Sequence, residues 1–131
     1  CKLTREVAEK KAGEPVTYHK QVSRILQAKC QECHRPGEPA PFELLTYKQA
    51  KGWAGMIREV VDENVMPPWH ADAPLGHFSN DRRLTPEQKK TLLAWIDQGC
   101  PEGDAKDAPE PLKFVKGWRL GREPDQVIAM E

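Results

Sequence analysis

Long apolar runs are missing from this chain of 131 residues, of which 38% are hydrophobic. No stretch approaches the roughly 20 apolar residues that a membrane-spanning helix needs, so we expect no membrane span. An excess of one charge is also missing, because 20 basic and 20 acidic residues give a formal net charge of zero. A broad basic face is therefore not expected, and neither is a nucleic-acid partner. The length suits one domain with one core.

Alternating apolar and polar residues, which are typical of half-buried strands, are scarce. Apolar residues instead recur at helical spacing in three places, which predicts helices over 17–30, 46–64 and 85–99. The second and third helices begin with capping boxes, in which Thr46 and Thr85 would each pair with a glutamine three residues later. The loops between the helices are long and rich in proline and are predicted to be irregular.

The two ends of the chain lack a helical apolar pattern. Residues 1–15 predict an N-terminal arm or linker, and 101–131 predict a C-terminal extension or linker. The domain itself is predicted over 16–100. Its apolar side chains are few for this size, and a large apolar cofactor at the centre would complete the core. We therefore predict an all-α fold with three main helices and long irregular loops around such a cofactor.

Cysteine is rare, with four in the chain, and two of them lie in the motif Cys30-Gln31-Glu32-Cys33-His34. Two thiols at this C-x-x-C-H spacing can add to the two vinyl groups of one haem, and the adjacent histidine can donate a ring nitrogen to the iron. The motif therefore predicts one covalent c-type haem, held through Cys30 and Cys33, with His34 as an iron ligand.

Three other chemistries use a C-x-x-C pair. A thioredoxin-like redox site would usually follow a strand, whereas this motif follows a predicted helix. A zinc site would need further ligands from Cys100, His70 or His77, and there is no second C-x-x-C pair. A structural disulfide at this spacing would close a very short loop. Haem attachment is the interpretation that we favour.

The second iron ligand is predicted to be Met66, which lies 32 positions after His34. Two prolines follow it and would preset the backbone, and a thioether is a soft ligand that suits an electron carrier. Met66 could also simply pack in the core. His70 and His77 are competing ligands, and an open sixth site is a further alternative.

An electron-transfer function follows from such a site. No nucleophile–base pair and no paired carboxylates stand out, so we predict an electron-carrier domain rather than an enzyme. A haem enzyme or gas binder with an open sixth site is the alternative, and a structural zinc module is another. Trp53, Trp69 and Trp95 are expected to wall the haem, although each could be ordinary core. Arg82 and Arg83 are candidates to pair with its propionates, although they could be a solvated surface pair.

This pattern resembles the class I cytochromes c of bacteria. The resemblance covers about 16–100 and consists of the C-x-x-C-H motif at the end of a helix, Met66-Pro67-Pro68, and a last helix around 92–96. It implies that the first and last helices pack together, through Val22, Ile25 and Leu26 against Leu92, Trp95 and Ile96. It also implies a proline carbonyl at the His34 ring, for which Pro39 and Pro41 are the candidates.

Longer stretches look like cytochrome domains of larger secreted bacterial proteins, beside redoxin-like or copper monooxygenase-like domains. They are Cys-His-Arg-Pro-Gly-Glu at 33–38, Met-Pro-Pro-Trp-His-Ala at 66–71, Asn-Asp-Arg-Arg-Leu at 80–84 and Trp-Ile-Asp-Gln-Gly-Cys-Pro-Glu-Gly-Asp at 95–104. This resemblance implies a redox partner protein or adjacent redox domain and a periplasmic or extracellular location. In such a compartment spare thiols often pair, so we also expect a Cys1–Cys100 disulfide.

Overall fold

Helices are the regular secondary structure of residues 15–71, 78–118 and 121–129, which are the residues that this computed structural model describes. In chain order they are a π-helical segment, Tyr18–Val22, continued directly by α1, Ser23–Lys29, then α2, Tyr47–Gly52, α3, Ala54–Asp62, α4, Pro86–Asp97, and a short 3₁₀ segment, Ala105–Asp107. These ranges contain no strand, which confirms the helical fold class. None of their helices is long and apolar enough to cross a membrane.

The N-termini of α2 and α4 have the capping boxes that the sequence predicts. The hydroxyl of Thr46 accepts from the Gln49 backbone N–H, and the Gln49 side chain accepts from the Thr46 N–H. Thr85 and Gln88 repeat this arrangement at α4. Gly99, with a φ of 83°, follows α4 and stops it. Local sequence therefore sets these helix ends.

The predicted helix over 46–64 is interrupted, and this part of the prediction is wrong. α2 ends at Gly52, and α3 begins only after Trp53, whose ψ of 8° is not helical. Gly52 precedes the break and Gly55 follows it, and glycine is the poorest helix former after proline. The Trp53 ring also packs against Phe42, in the loop before α2, as described below. The break therefore serves tertiary packing.

The core lies where α4 packs against α3 and against the π-helical segment. Val22 and Leu26 share one buried cluster with Leu92 and Trp95, as the sequence predicts, whereas Ile25 is buried outside that cluster. The other members of the cluster are Tyr18, Leu44, Ala50, Ala54, Ile57, Val61 and Cys100. The four largest fully buried side chains come from the first helical stretch and from α4, so this contact contributes much of the buried apolar surface.

The segment after residue 100 does not leave the domain at once. It runs beside α1, where the Arg24 guanidinium donates to the Asp107 carbonyl at 3.1 Å and the Gln27 amide donates to the Glu110 carbonyl at 2.9 Å. Contacts with the helices therefore continue about ten residues beyond the predicted boundary at 100.

Candidate functional site

The C-x-x-C-H motif forms one tight turn at the end of α1. The Cys30 N–H donates to the Leu26 carbonyl, and the N–H groups of Cys33 and His34 both donate to the Cys30 carbonyl, at 3.1 and 2.9 Å. These bonds keep both cysteines and the histidine within a single turn of chain. Both thiols are free and half-buried. The structure therefore brings together the three side chains that the motif singles out.

The His34 ring is oriented by the loop that follows it. Its Nδ1 lies 3.0 Å from the Phe42 carbonyl oxygen. A carbonyl oxygen can only accept, so Nδ1 carries the proton and Nε2 keeps its lone pair. Orientation of a ligating histidine by a carbonyl is the usual outer-shell arrangement of metal sites.

The identity of this carbonyl corrects one prediction. Neither Pro39 nor Pro41 supplies this carbonyl, because the loop brings residue 42 next to the His34 ring instead. The Leu44 N–H donates to the His34 carbonyl at 3.0 Å, which sets residue 42 against the ring. The sequence offered proline as the candidate only through the resemblance, and no local signal marks Phe42.

An aromatic stack continues from His34 to Trp53. The centroid of the Phe42 ring lies 4.6 Å from that of the His34 ring, and the Trp53 ring stacks on the Phe42 ring at 4.2 Å and 18°. Trp53 is still 39% exposed. The break between α2 and α3 thus places Trp53 one ring away from His34, near the site where the sequence predicts it.

Burial controls the chemistry of the first thiol. Desolvation raises the pKa of Cys30 to about 12, and the neighbouring Cys33 adds to the rise. A redox-active C-x-x-C pair needs a thiolate at neutral pH, so this environment disfavours a thioredoxin-like reaction. Within the described ranges no three His, Cys, Asp or Glu side chains converge to hold a metal ion. The motif therefore does not gain the further ligands of a zinc site there.

The loop over 81–83 is held against the motif. Arg82 pairs with Glu32, inside the motif, at 2.7 Å, and the Lys29 ammonium donates to the Asp81 carbonyl at 3.1 Å. Arg83 makes a two-pronged pair with the Asp81 carboxylate, which lowers the pKa of Asp81 to about 2. Both arginines that the sequence assigns to propionates thus have protein carboxylates as partners.

The chain after α3 carries the predicted distal ligands. The N–H groups of Val65 and Met66 both donate to the Val60 carbonyl, at 2.8 and 3.0 Å, so a tight turn ends the helix. Met66 is 38% exposed, and His70 is exposed as well. His77 lies outside the described residues. The structure leaves both the thioether and the imidazole reachable from solvent.

Trp69 and Trp95 have different environments. Trp95 is fully buried in the core, and its indole N–H donates to the Pro101 carbonyl at 2.9 Å. Trp69 contacts Phe78 edge-on at 5.6 Å, and its Nε1 is buried without an acceptor among the described residues. Trp95 is therefore a core residue, whereas the indole N–H of Trp69 makes no hydrogen bond to the described residues.

The expected Cys1–Cys100 disulfide falls partly outside the described residues. Cys100 is a free thiol that is 6% exposed, in the core beside α4, and Cys1 lies outside the described residues. Burial also raises the pKa of Cys100.

The chain was compared with known proteins. No protein-family model, curated protein or solved structure matches it.

Proposed function

We propose that this chain is an electron-transfer domain that holds one c-type haem through Cys30 and Cys33, with His34 as an iron ligand. The observation that carries the proposal is the His34 ring, whose Nδ1 donates to the Phe42 carbonyl, within a turn that also bears two free thiols. When bound, haem supplies a one-electron iron couple whose potential depends on its ligands and surroundings.

Attachment needs only the two thiols in their reduced form. Each sulfur would form a C–S bond to one vinyl carbon, its hydrogen would go to the other vinyl carbon, and the C=C π bond would be lost. Atoms and electrons balance without an added oxidant. Both cysteines are free in the structure, which meets this requirement.

Exposed apolar side chains support a large apolar group at this site. Ten large hydrophobic side chains are exposed among the described residues, and five of them fall between positions 53 and 78. They are Trp53, Met56, Val65, Met66 and Phe78. Apolar side chains are costly to leave in water, and a planar apolar cofactor that covered them would bury them.

We propose Met66 as the second ligand. A filled sixth position suits electron transfer because the iron surroundings change little between oxidation states. Met66 is partly exposed and its backbone is held at the end of α3 by the Val60 carbonyl. His70 is exposed in the following loop, so it is the competitor to test.

The indole N–H of Trp69, which has no acceptor among the described residues, is also suited to a bound haem. A buried N–H without an acceptor costs roughly 1–3 kcal/mol, and a propionate carboxylate would satisfy it. Before either arginine could pair with a propionate, Arg82 would have to share or release Glu32, and Arg83 would have to share or release Asp81. We therefore propose Trp69, rather than either arginine, as the first partner for a propionate.

The decisive experiment is expression with export through a bacterial system that attaches haem covalently, which the resemblance places outside the cytoplasm. We expect the mass of the polypeptide plus one haem, and absorption bands that survive acid–acetone extraction. Cys30→Ala and Cys33→Ala should each greatly reduce covalent haem, whereas Cys100→Ala should not. An exported protein of bare polypeptide mass would contradict the proposal.

Met66→Ala tests the second ligand in the loaded protein. We expect loss of the weak near-infrared sulfur-to-iron band of the ferric form and of the shifted methionine methyl protons of the ferrous form. Met56→Ala is the matched control and should keep both signals. If Met66→Ala keeps them too, Met66 is a packing residue, and His70→Ala becomes the next variant.

A further inference from the structure

The C-terminal part of the chain contains a locally basic stretch in spite of the zero net charge. Residues 111–122, Pro-Leu-Lys-Phe-Val-Lys-Gly-Trp-Arg-Leu-Gly-Arg, contain four basic residues and no acidic residue. The same stretch contains five large apolar residues. Neither property is needed for the electron-transfer site proposed above.

The structure describes 111–118 and 121–122 of this stretch, which have no helix or strand. The large apolar side chains of the 112–118 segment face solvent, with one exception. Leu112 is 44% exposed, Val115 61% and Trp118 54%. Phe114 is the exception, because the Arg35 guanidinium lies 4.3 Å from the centre of its ring. This contact holds the stretch against the loop that follows His34.

The two lysines of this stretch are also exposed. Lys113 and Lys116 have no carboxylate partner among the described residues. Each lysine directly follows an exposed apolar residue, Leu112 or Val115, so charged and apolar residues are intermixed along the segment. These apolar side chains do not contribute to the stability of the fold through burial, because Leu112, Val115 and Trp118 lie outside the buried core.

We propose that the 112–118 segment binds the surface of an anionic lipid bilayer. The interfacial region of a bilayer offers phosphate groups and acyl carbons at nearly the same depth, which suits intermixed lysine and apolar side chains. Trp118 has the amphipathic ring that prefers this region. An acidic protein surface would match the lysines but would leave Val115 and Trp118 against charged groups.

Vesicle co-sedimentation of the full chain tests the proposal. We expect binding to vesicles that contain phosphatidylglycerol, little binding to pure phosphatidylcholine, and weakening by salt. Each lysine contributes about 1 kcal/mol near an anionic surface, so Lys113→Gln with Lys116→Gln should lower the partition coefficient about thirtyfold. Trp118→Ser should lower it several-fold at unchanged charge.

The matched control is Lys48→Gln with Lys90→Gln, which removes the same charge from two exposed positions elsewhere. An equal loss in this control would mean that net charge alone drives binding and would overturn the proposal. Failure of the full chain to bind anionic vesicles would also overturn it. Binding to poly-L-glutamate but not to vesicles would assign the segment to an acidic protein instead. None of these outcomes depends on whether haem is attached.

Discussion

The carbonyl oxygen of Phe42 lies 3.0 Å from Nδ1 of His34, although the two residues are eight positions apart. The bond depends on the proline-containing loop between them returning to the motif, where Leu44 donates to the His34 carbonyl. It fixes which imidazole nitrogen is protonated before any ligand arrives. A site organised in this way loses less freedom when a group binds to Nε2.

The first prediction concerns this tautomer. At a pH where the imidazoles are neutral, we expect His34 of the haem-free protein to carry its proton on Nδ1. His19 is the internal control, because its Nε2 faces Glu102 at 3.5 Å, so its proton should be on Nε2. Long-range ¹H–¹⁵N correlation of the imidazole rings distinguishes the two forms. A proton on Nε2 of His34 would contradict the orientation described above.

The second prediction compares two tryptophans in the haem-free protein. Trp95→Phe should cost about 2–4 kcal/mol, because it leaves a void in the core and removes the donor to the Pro101 carbonyl. Trp69→Phe should cost less than about 1 kcal/mol, because it removes a buried donor that has no acceptor within the described part of the chain. Urea unfolding of both variants measures the difference, and equal losses would contradict it.

The third prediction concerns pH. The Arg83 guanidinium holds the pKa of Asp81 at about 2, below its ordinary value of 3.8. Because the pKa is lowered by folding, the stabilisation from this carboxylate is present above about pH 4 and is lost as the pH falls through about 2. Arg83→Ala should return the pKa of Asp81 towards 3.8, whereas Arg82→Ala should leave it low. Carboxyl ¹³C titration by NMR checks both variants.

The fourth prediction separates backbone strain from steric overlap at two glycines. Gly103 and Gly117 have φ angles of 84° and 85°. A Cβ at Gly103 would lie 2.5 Å from the Thr17 hydroxyl oxygen, whereas a Cβ at Gly117 would have no neighbour within 4 Å. Gly117→Ala should therefore cost about 1 kcal/mol for the left-handed backbone alone.

Gly103→Ala should cost more than Gly117→Ala, by about 1–3 kcal/mol, because the Thr17 side chain must move as well. Thermal unfolding of the two variants gives this difference directly. Equal midpoints would show that the segment after residue 100 does not pack against the start of the first helical stretch.

Several features followed from short stretches of sequence. The start of α4 was predictable because Thr85, Pro86 and Gln88 satisfy the first N–H groups of a helix within four residues. The grouping of Cys30, Cys33 and His34 was also predictable, because residues so close in sequence stay close in space. The break at Trp53 was missed because single glycines are tolerated in many helices.

The sequence by itself determined the helical class, the start of α2, both ends of α4, and the grouping of two thiols with one imidazole, because each depends on bonds between residues a few positions apart. Only the tertiary structure decided that Phe42, not a proline, faces His34, and that Arg82 pairs with Glu32. It also decided that Trp69 keeps an unused donor while Trp95 does not. These outcomes depend on how distant segments meet, and loop register and side-chain competition for partners are set by packing of the whole chain rather than by local pattern.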